Sequence, residues 1–130
     1  MSFKSNQATL PFKITLDYSK QPELFNDIAH KVADLIDKSV PETKTTQMRK
    51  FYDYVLVLLD KASDDEQTFR TEILPFVKML NSKVAYSNSR KHVSNEFADI
   101  IKQCIEQIQN KKDLQTFKYF FEAVLGFSKK

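Results

Sequence analysis

Apolar residues in this chain recur mostly at helical spacing. Leu24, Phe25, Ile28, Val32, Leu35 and Ile36 form a first stripe, with acids and Lys31 facing the other way. The stripe predicts a helix from near Pro22, a residue suited to a first turn, to near Ser39, ahead of Pro41. Met48, Phe51, Tyr52, Val55, Leu58 and Leu59 predict a second helix opening at Thr43 to Thr46, with a threonine as its cap. Asp60 to Gln67 reads as a polar turn. Phe69, Ile73, Phe76, Val77, Leu80 and Val84 keep one phase across Pro75. They predict a third helix starting after Asp64 and kinked at the proline, the other reading being that Pro75 sits in the first turn of a second piece. Ser87 to Ser89 marks a polar break. A fourth helix follows, capped by Ser94, carrying Phe97, Ile100, Ile101, Cys104, Ile105 and Ile108, and ended by Asn110. A fifth carries Leu114, Phe117, Phe120, Phe121, Val124 and Leu125, with Gly126 suited to a C-terminal cap.

The first residues break this pattern. Leu10, Phe12, Ile14, Leu16 and Tyr18 alternate with Pro11, Lys13, Thr15 and Asp17. Period two predicts an extended segment with one apolar edge. It has no partner strand in the chain, so it packs across its own helices or onto a neighbour, the first being the simpler. The expected architecture is all-α: a single compact bundle of about five helices over residues 21–130, preceded by an extended arm over residues 1–20.

Composition agrees with that pattern. The chain has 130 residues, enough for one domain, with 42% hydrophobic and 28% charged residues. A single glycine leaves little material for tight hairpins or glycine-rich phosphate loops. Neither a signal-like run nor a membrane-length apolar stretch is present, so a cytoplasmic protein without membrane contact is expected. Cys104, alone in an apolar stripe, reads as a core thiol.

Catalytic groups are scarce. His30 has Asp27 and Asp34 at i−3 and i+4, but neither a cysteine nor a second histidine joins them. His92 lies in a basic loop with no acid nearby in sequence to orient it. No catalytic residue, metal, cofactor or small-molecule substrate is assigned, and binding is favoured over catalysis.

Net charge is +3, and its distribution is uneven. Residues 81–92 hold Lys83, Arg90 and Lys91 with no acid. In that run Tyr86, Ser87, Asn88 and Ser89 set an aromatic and neutral hydrogen-bonding groups among cations, a phosphate-binding composition. Lys44, Arg49 and Lys50 crowd the start of the second helix, where free backbone N–H groups already favour anions. Phe117 to Val124 is aromatic at helical spacing, which reads as core before base-stacking platform.

Three stretches, in order, resemble the small subunit of the type III-A CRISPR effector (Csm) complex. They are Thr45-Thr46-Gln47-Met48-Arg49-Lys50, Ala85-Tyr86-Ser87-Asn88-Ser89-Arg90 and Phe117 through Val124. Ser89 stands where that family often has glycine, and Gly126-Phe127 stands in place of an Ala-Tyr-like pair. The resemblance implies a helical, non-catalytic subunit. Copies of it would line the channel holding guide RNA paired with target RNA, packed against one another and against the other subunits in antiviral defence. Arg49, Lys50 and Arg90 match basic positions of the family motifs. Lys44, Lys83 and Lys91 join them as RNA-binding candidates from charge alone. The competing reading is a helical adaptor that binds protein and no RNA.

Overall fold

The computed structural model describes residues 13–129. Among these residues six α-helices appear: α1 (Ala29–Lys38), α2 (Thr45–Lys61), α3 (Glu66–Glu72), α4 (Leu74–Ser89), α5 (Asn95–Ile105) and α6 (Lys111–Phe127). No strand occurs among them, and no helix is long and apolar enough to cross a membrane. The all-α bundle expected from periodicity is what the chain forms.

Helix α6 lies against both α1 and α2, and α4 against α2 and α5. The shared core holds Phe51, Phe69, Phe97, Phe117, Phe120 and Phe121 among aliphatic residues. Phe97 packs edge-on to Phe121 with centroids 6.2 Å apart, and Phe117 lies 5.7 Å from Phe121. Truncating one such ring to alanine costs about 3–5 kcal/mol in transfer and cavity terms. Cys104 is fully buried there, and burial raises its thiol pKa.

The helix boundaries differ from the sequence reading in instructive ways. The first helix opens as a π-helical turn, Leu24–Ile28, before α1. Leu24 and Ala29, five positions apart, are both fully buried, a spacing the wider π turn satisfies and an α-helix does not. The third predicted helix is two pieces. Ile73 interrupts them, and Pro75 falls in the first turn of α4, where its missing N–H costs nothing. Phe76, expected in the core stripe, is 48% exposed. Helix α4 continues through Ser89, so the break lies at residues 90–93. Helix α5 stops at Ile105, and Asn110 instead caps α6, accepting from the Asp113 N–H at 2.9 Å. Gly126 lies inside α6 and Ser128 ends it.

The arm packs on its own bundle where it is described. Ile14 and Leu16 are buried. The Ile14 N–H donates to Gln103 Oε1 at 2.9 Å, and the Leu16 N–H to Gln107 Oε1 at 2.8 Å. Gln107 Nε2 returns a bond to the Ile14 carbonyl at 2.8 Å. Two glutamines one helical turn apart thus offer the main-chain partners that a second strand would supply. Leu10 and Phe12, at the start of the alternating run, lie outside the described residues.

Candidate nucleic-acid interface

Helices α2 and α4 leave an open groove between them, about 830 Å³ in volume. Positions 47, 50, 54 and 57 of α2 face it, spaced three and four apart, beside the core stripe of that helix. Positions 82, 83, 86 and 87 of α4, and Arg90 just past its end, face it from the other side. Buried Ser87 donates to Gln47 Oε1 at 2.9 Å, and Phe51 closes the interior side.

Cations and aromatics alternate around the opening. The Arg90 guanidinium lies over the Tyr86 ring, 4.7 Å from its centroid, and Lys83 Nζ lies 5.2 Å from the centre of Tyr54. Such pairs orient a long cation without neutralising it. The Tyr54 hydroxyl donates to the Phe76 carbonyl at 2.8 Å, and burial raises its pKa. Lys50 and His92 complete the basic lining. Asp53 is the one acid in the lining, and no ion pair among the described residues takes Lys50, Lys83 or Arg90.

The loop after α4 is rigidly built. The His92 N–H donates to the Ser87 carbonyl and the Lys91 N–H to that of Asn88, both at 2.9 Å. This is a Schellman closure, and it puts Lys91 in the left-handed region at φ 64°. The Asn88 amide is spent within the loop, on the Val93 carbonyl and Asn95 Oδ1. Ser87 and Asn88, read from sequence as spare hydrogen-bonding groups, are therefore structural. Thr43 does not cap α2 either. Its hydroxyl, fully buried, accepts from the Ser94 N–H at 2.8 Å and donates to Ser94 Oγ. Ser94 in turn caps α5, as expected, accepting from Phe97 N–H. The Lys44 N–H donates to the His92 carbonyl, so the start of α2 is stitched to the basic loop.

Of the six sequence candidates, Lys50, Lys83 and Arg90 thus come together on one groove. Arg49, Lys44 and Lys91 are exposed but do not line it. Arg49 sits about 100° around α2 from Lys50, on the outer ridge of that helix. Sequence reasoning missed Tyr54 and Val57. Their signal was the second stripe at 47, 50, 54 and 57, obscured because its members differ in polarity.

The other singled-out residues fall elsewhere. Phe117, Phe120 and Phe121 are core, while Tyr119 is exposed. His30 stacks flat on Phe127, with centroids 4.5 Å apart, and its Nε2 lies 3.9 Å from Asp34. No cluster of three or more metal-ligating side chains occurs among the described residues.

The model of the type III-A Csm2 family matches residues 19–130, nearly the whole chain. The chain belongs to the Csm2 family. It is therefore a member of the small-subunit family of the type III-A CRISPR Csm complex, partnered by other effector subunits. All three Csm2-like stretches lie within the matched span, and the first two each contribute to the groove, Gln47 and Lys50 from one and Tyr86, Ser87 and Arg90 from the other. Neither the curated proteins nor the solved structures return a match.

Proposed function

We propose that this Csm2-family chain is a non-catalytic, cytoplasmic RNA-lining subunit. It touches the ribose-phosphate backbone of the guide RNA and target RNA without reading their sequence. In this reading Lys50, Lys83 and Arg90 bind phosphates from the groove, while Arg49, Lys44 and Lys91 widen the basic surface outside it. Base pairing supplies sequence selection, so the protein needs only charge and shape. The bundle, residues 21–130, also packs against copies of itself and the larger subunits, with the arm, residues 1–20, as a separate element.

The observation that carries the reading is the convergence of Lys50, Lys83 and Arg90, from two helices, on one groove with a single acid in its lining. A second reading, a protein-binding adaptor without RNA contact, draws support from Val57, Phe76 and Met79, large apolar residues exposed nearby on α2 and α4.

Charge reversal separates the two. Lys50→Glu with Arg90→Glu, assembled into the effector complex, is expected to lower RNA retention. Each lost phosphate contact is also expected to flatten the salt dependence by about one unit of slope. Arg49→Glu, made separately, reports on the outer ridge. Unchanged RNA retention and salt slope in the double variant would overturn the RNA reading and leave the adaptor.

A further inference from the structure

The groove is deeper and more apolar than a phosphate contact needs. A duplex backbone is a convex ridge of charge, and exposed lysines on a flat helix face suffice to hold it. Here the same opening is lined by Tyr54, Val57 and Tyr86 beside the cations. Its volume of about 830 Å³ lies in the range of small-ligand sites. Tyr86 is 62% exposed, and with Arg90 and His92 it also lines a second, more open hollow of about 470 Å³. The ring is therefore approachable from more than one side.

We infer that the groove between α2 and α4 takes a nucleotide whose base is unpaired, the base stacking on Tyr86 and its phosphate meeting Lys50, Lys83 and Arg90. Aromatic rings interleaved with cations are the pattern by which proteins hold unstacked nucleotides. Arg90 lies over one face of Tyr86, so in this inference the base stacks on the opposite face. Tyr54, pinned through its hydroxyl to Phe76, fixes the inner wall. Elsewhere, Lys118 beside Tyr119 is already paired with Glu122 at 3.1 Å, and Tyr18, with Lys112 Nζ 5.7 Å from its centroid, packs against Phe25. What sets the groove apart is that Lys50, Lys83 and Arg90 converge with Tyr54 and Tyr86 on one opening. The inference rests on the RNA reading above and deepens it by naming the part of the nucleic acid that enters the groove. The same chemistry describes a nucleotide extruded from an RNA strand or a free nucleotide.

The test uses the full chain and four probes: a single-stranded uridine oligomer, an abasic oligomer of equal length and charge, a blunt RNA duplex, and uridine monophosphate. The uridine oligomer is expected to bind roughly 5- to 100-fold tighter than the abasic one and than the duplex, the range set by one stacked base. Tyr86→Ala should abolish that difference, and Tyr86→Phe should restore it. Circular dichroism of the exposed-site variants should match the parent. Lys50→Ala and Arg90→Ala should weaken both oligomers. Competition by uridine monophosphate assigns the site to free nucleotides, and its absence assigns it to a unit of a strand. Equal binding of base-bearing and abasic oligomers, or equal losses for both on Tyr86→Ala, overturns the inference while leaving phosphate contact standing. Absence of any binding to the isolated chain also overturns it, and the RNA reading is then judged by the charge-reversed complex.

Discussion

The Ser87 hydroxyl of α4 donates to the side-chain carbonyl of Gln47 on α2 at 2.9 Å, joining the two walls of the groove. Ser87 is itself buried, so the bond is made out of water. It sets how far apart the cations on either wall stand. Groove geometry and bundle stability therefore share one contact.

Ser87→Val keeps much of the side-chain shape and removes the donor. The expected cost is about 1–2 kcal/mol, read as a lower denaturant midpoint at unchanged slope. Affinity for RNA should fall as well, although no cation is touched. A variant as stable as the parent would show that the bond contributes nothing to holding the walls.

Lys91 adopts the left-handed conformation that glycine occupies most cheaply. Lys91→Gly is expected to raise stability by about 1 kcal/mol, since the strain on a non-glycine residue there is of that size. Thermal unfolding gives the answer, and a lowered melting point would refute the strain argument. The family's usual glycine before Arg90 is Ser89 here, and Ser89 lies in regular helix, so that departure costs no strain at its own position.

Gly126 sits within α6, and a methyl group added at its Cα would meet nothing within 4 Å. Gly126→Ala is therefore expected to stabilise the chain by about 0.5–1 kcal/mol through helix propensity alone. Destabilisation on calorimetry would show that the glycine serves some contact with a partner instead.

Gln107 holds the arm by accepting from Leu16 and donating to Ile14. Gln107→Ala should release that segment without unfolding the helices. Hydrogen exchange at the Ile14 and Leu16 amides is expected to accelerate, while exchange in α6 stays put. Unaltered protection of both amides would mean that Gln103 and the buried Ile14 and Leu16 side chains suffice.

Asp65 caps α3, its carboxylate accepting from the Thr68 N–H at 2.9 Å and the Thr68 hydroxyl at 2.8 Å. The backbone bond first, and the hydroxyl second, lower its pKa below the ordinary aspartate value. A folded-state pKa below the unfolded one adds stability above the unfolded pKa, and that stability is lost as pH falls through the folded one. Acidification below about pH 4 should therefore loosen the start of α3. The Thr68 amide resonance should follow that titration, and Asp65→Asn should flatten it. A Thr68 signal indifferent to acid would exclude the cap as the cause.

The sequence disclosed helices through their long stripes and misplaced their ends where side chains had competing uses. The sequence offers a threonine of the 43–46 stretch as the cap of α2, yet Lys44 stands at the cap with no side-chain bond and the Thr43 hydroxyl reaches Ser94, 51 positions away. Asn110 looked like a stop because it closes an apolar stripe, although its cap to Asp113 spans only three residues and was readable as a helix start. Local patterns could have placed that boundary, but not the reach of Thr43 to Ser94. The groove was half legible for a related reason. Charge drew attention to Lys50, Lys83 and Arg90, whereas Tyr54 and Val57 carry no signal until α2 and α4 are side by side. Arg49, equally basic and equally prominent in the motif, turns onto another face of α2.

The two glutamines that grip the arm touch only main-chain atoms, and main-chain atoms repeat every second residue. A slide of the arm by two positions would offer Gln103 and Gln107 the same partners. Such a slide would carry Tyr18 and its phenol hydroxyl into the hollow now filled by Leu16, and it would unmake the turn in which Asp17 accepts from Ser19, Lys20 and Gln21. The alignment of this segment is thus guarded twice, by bulk and by the turn, and replacing Tyr18 with leucine would remove only one of the two guards.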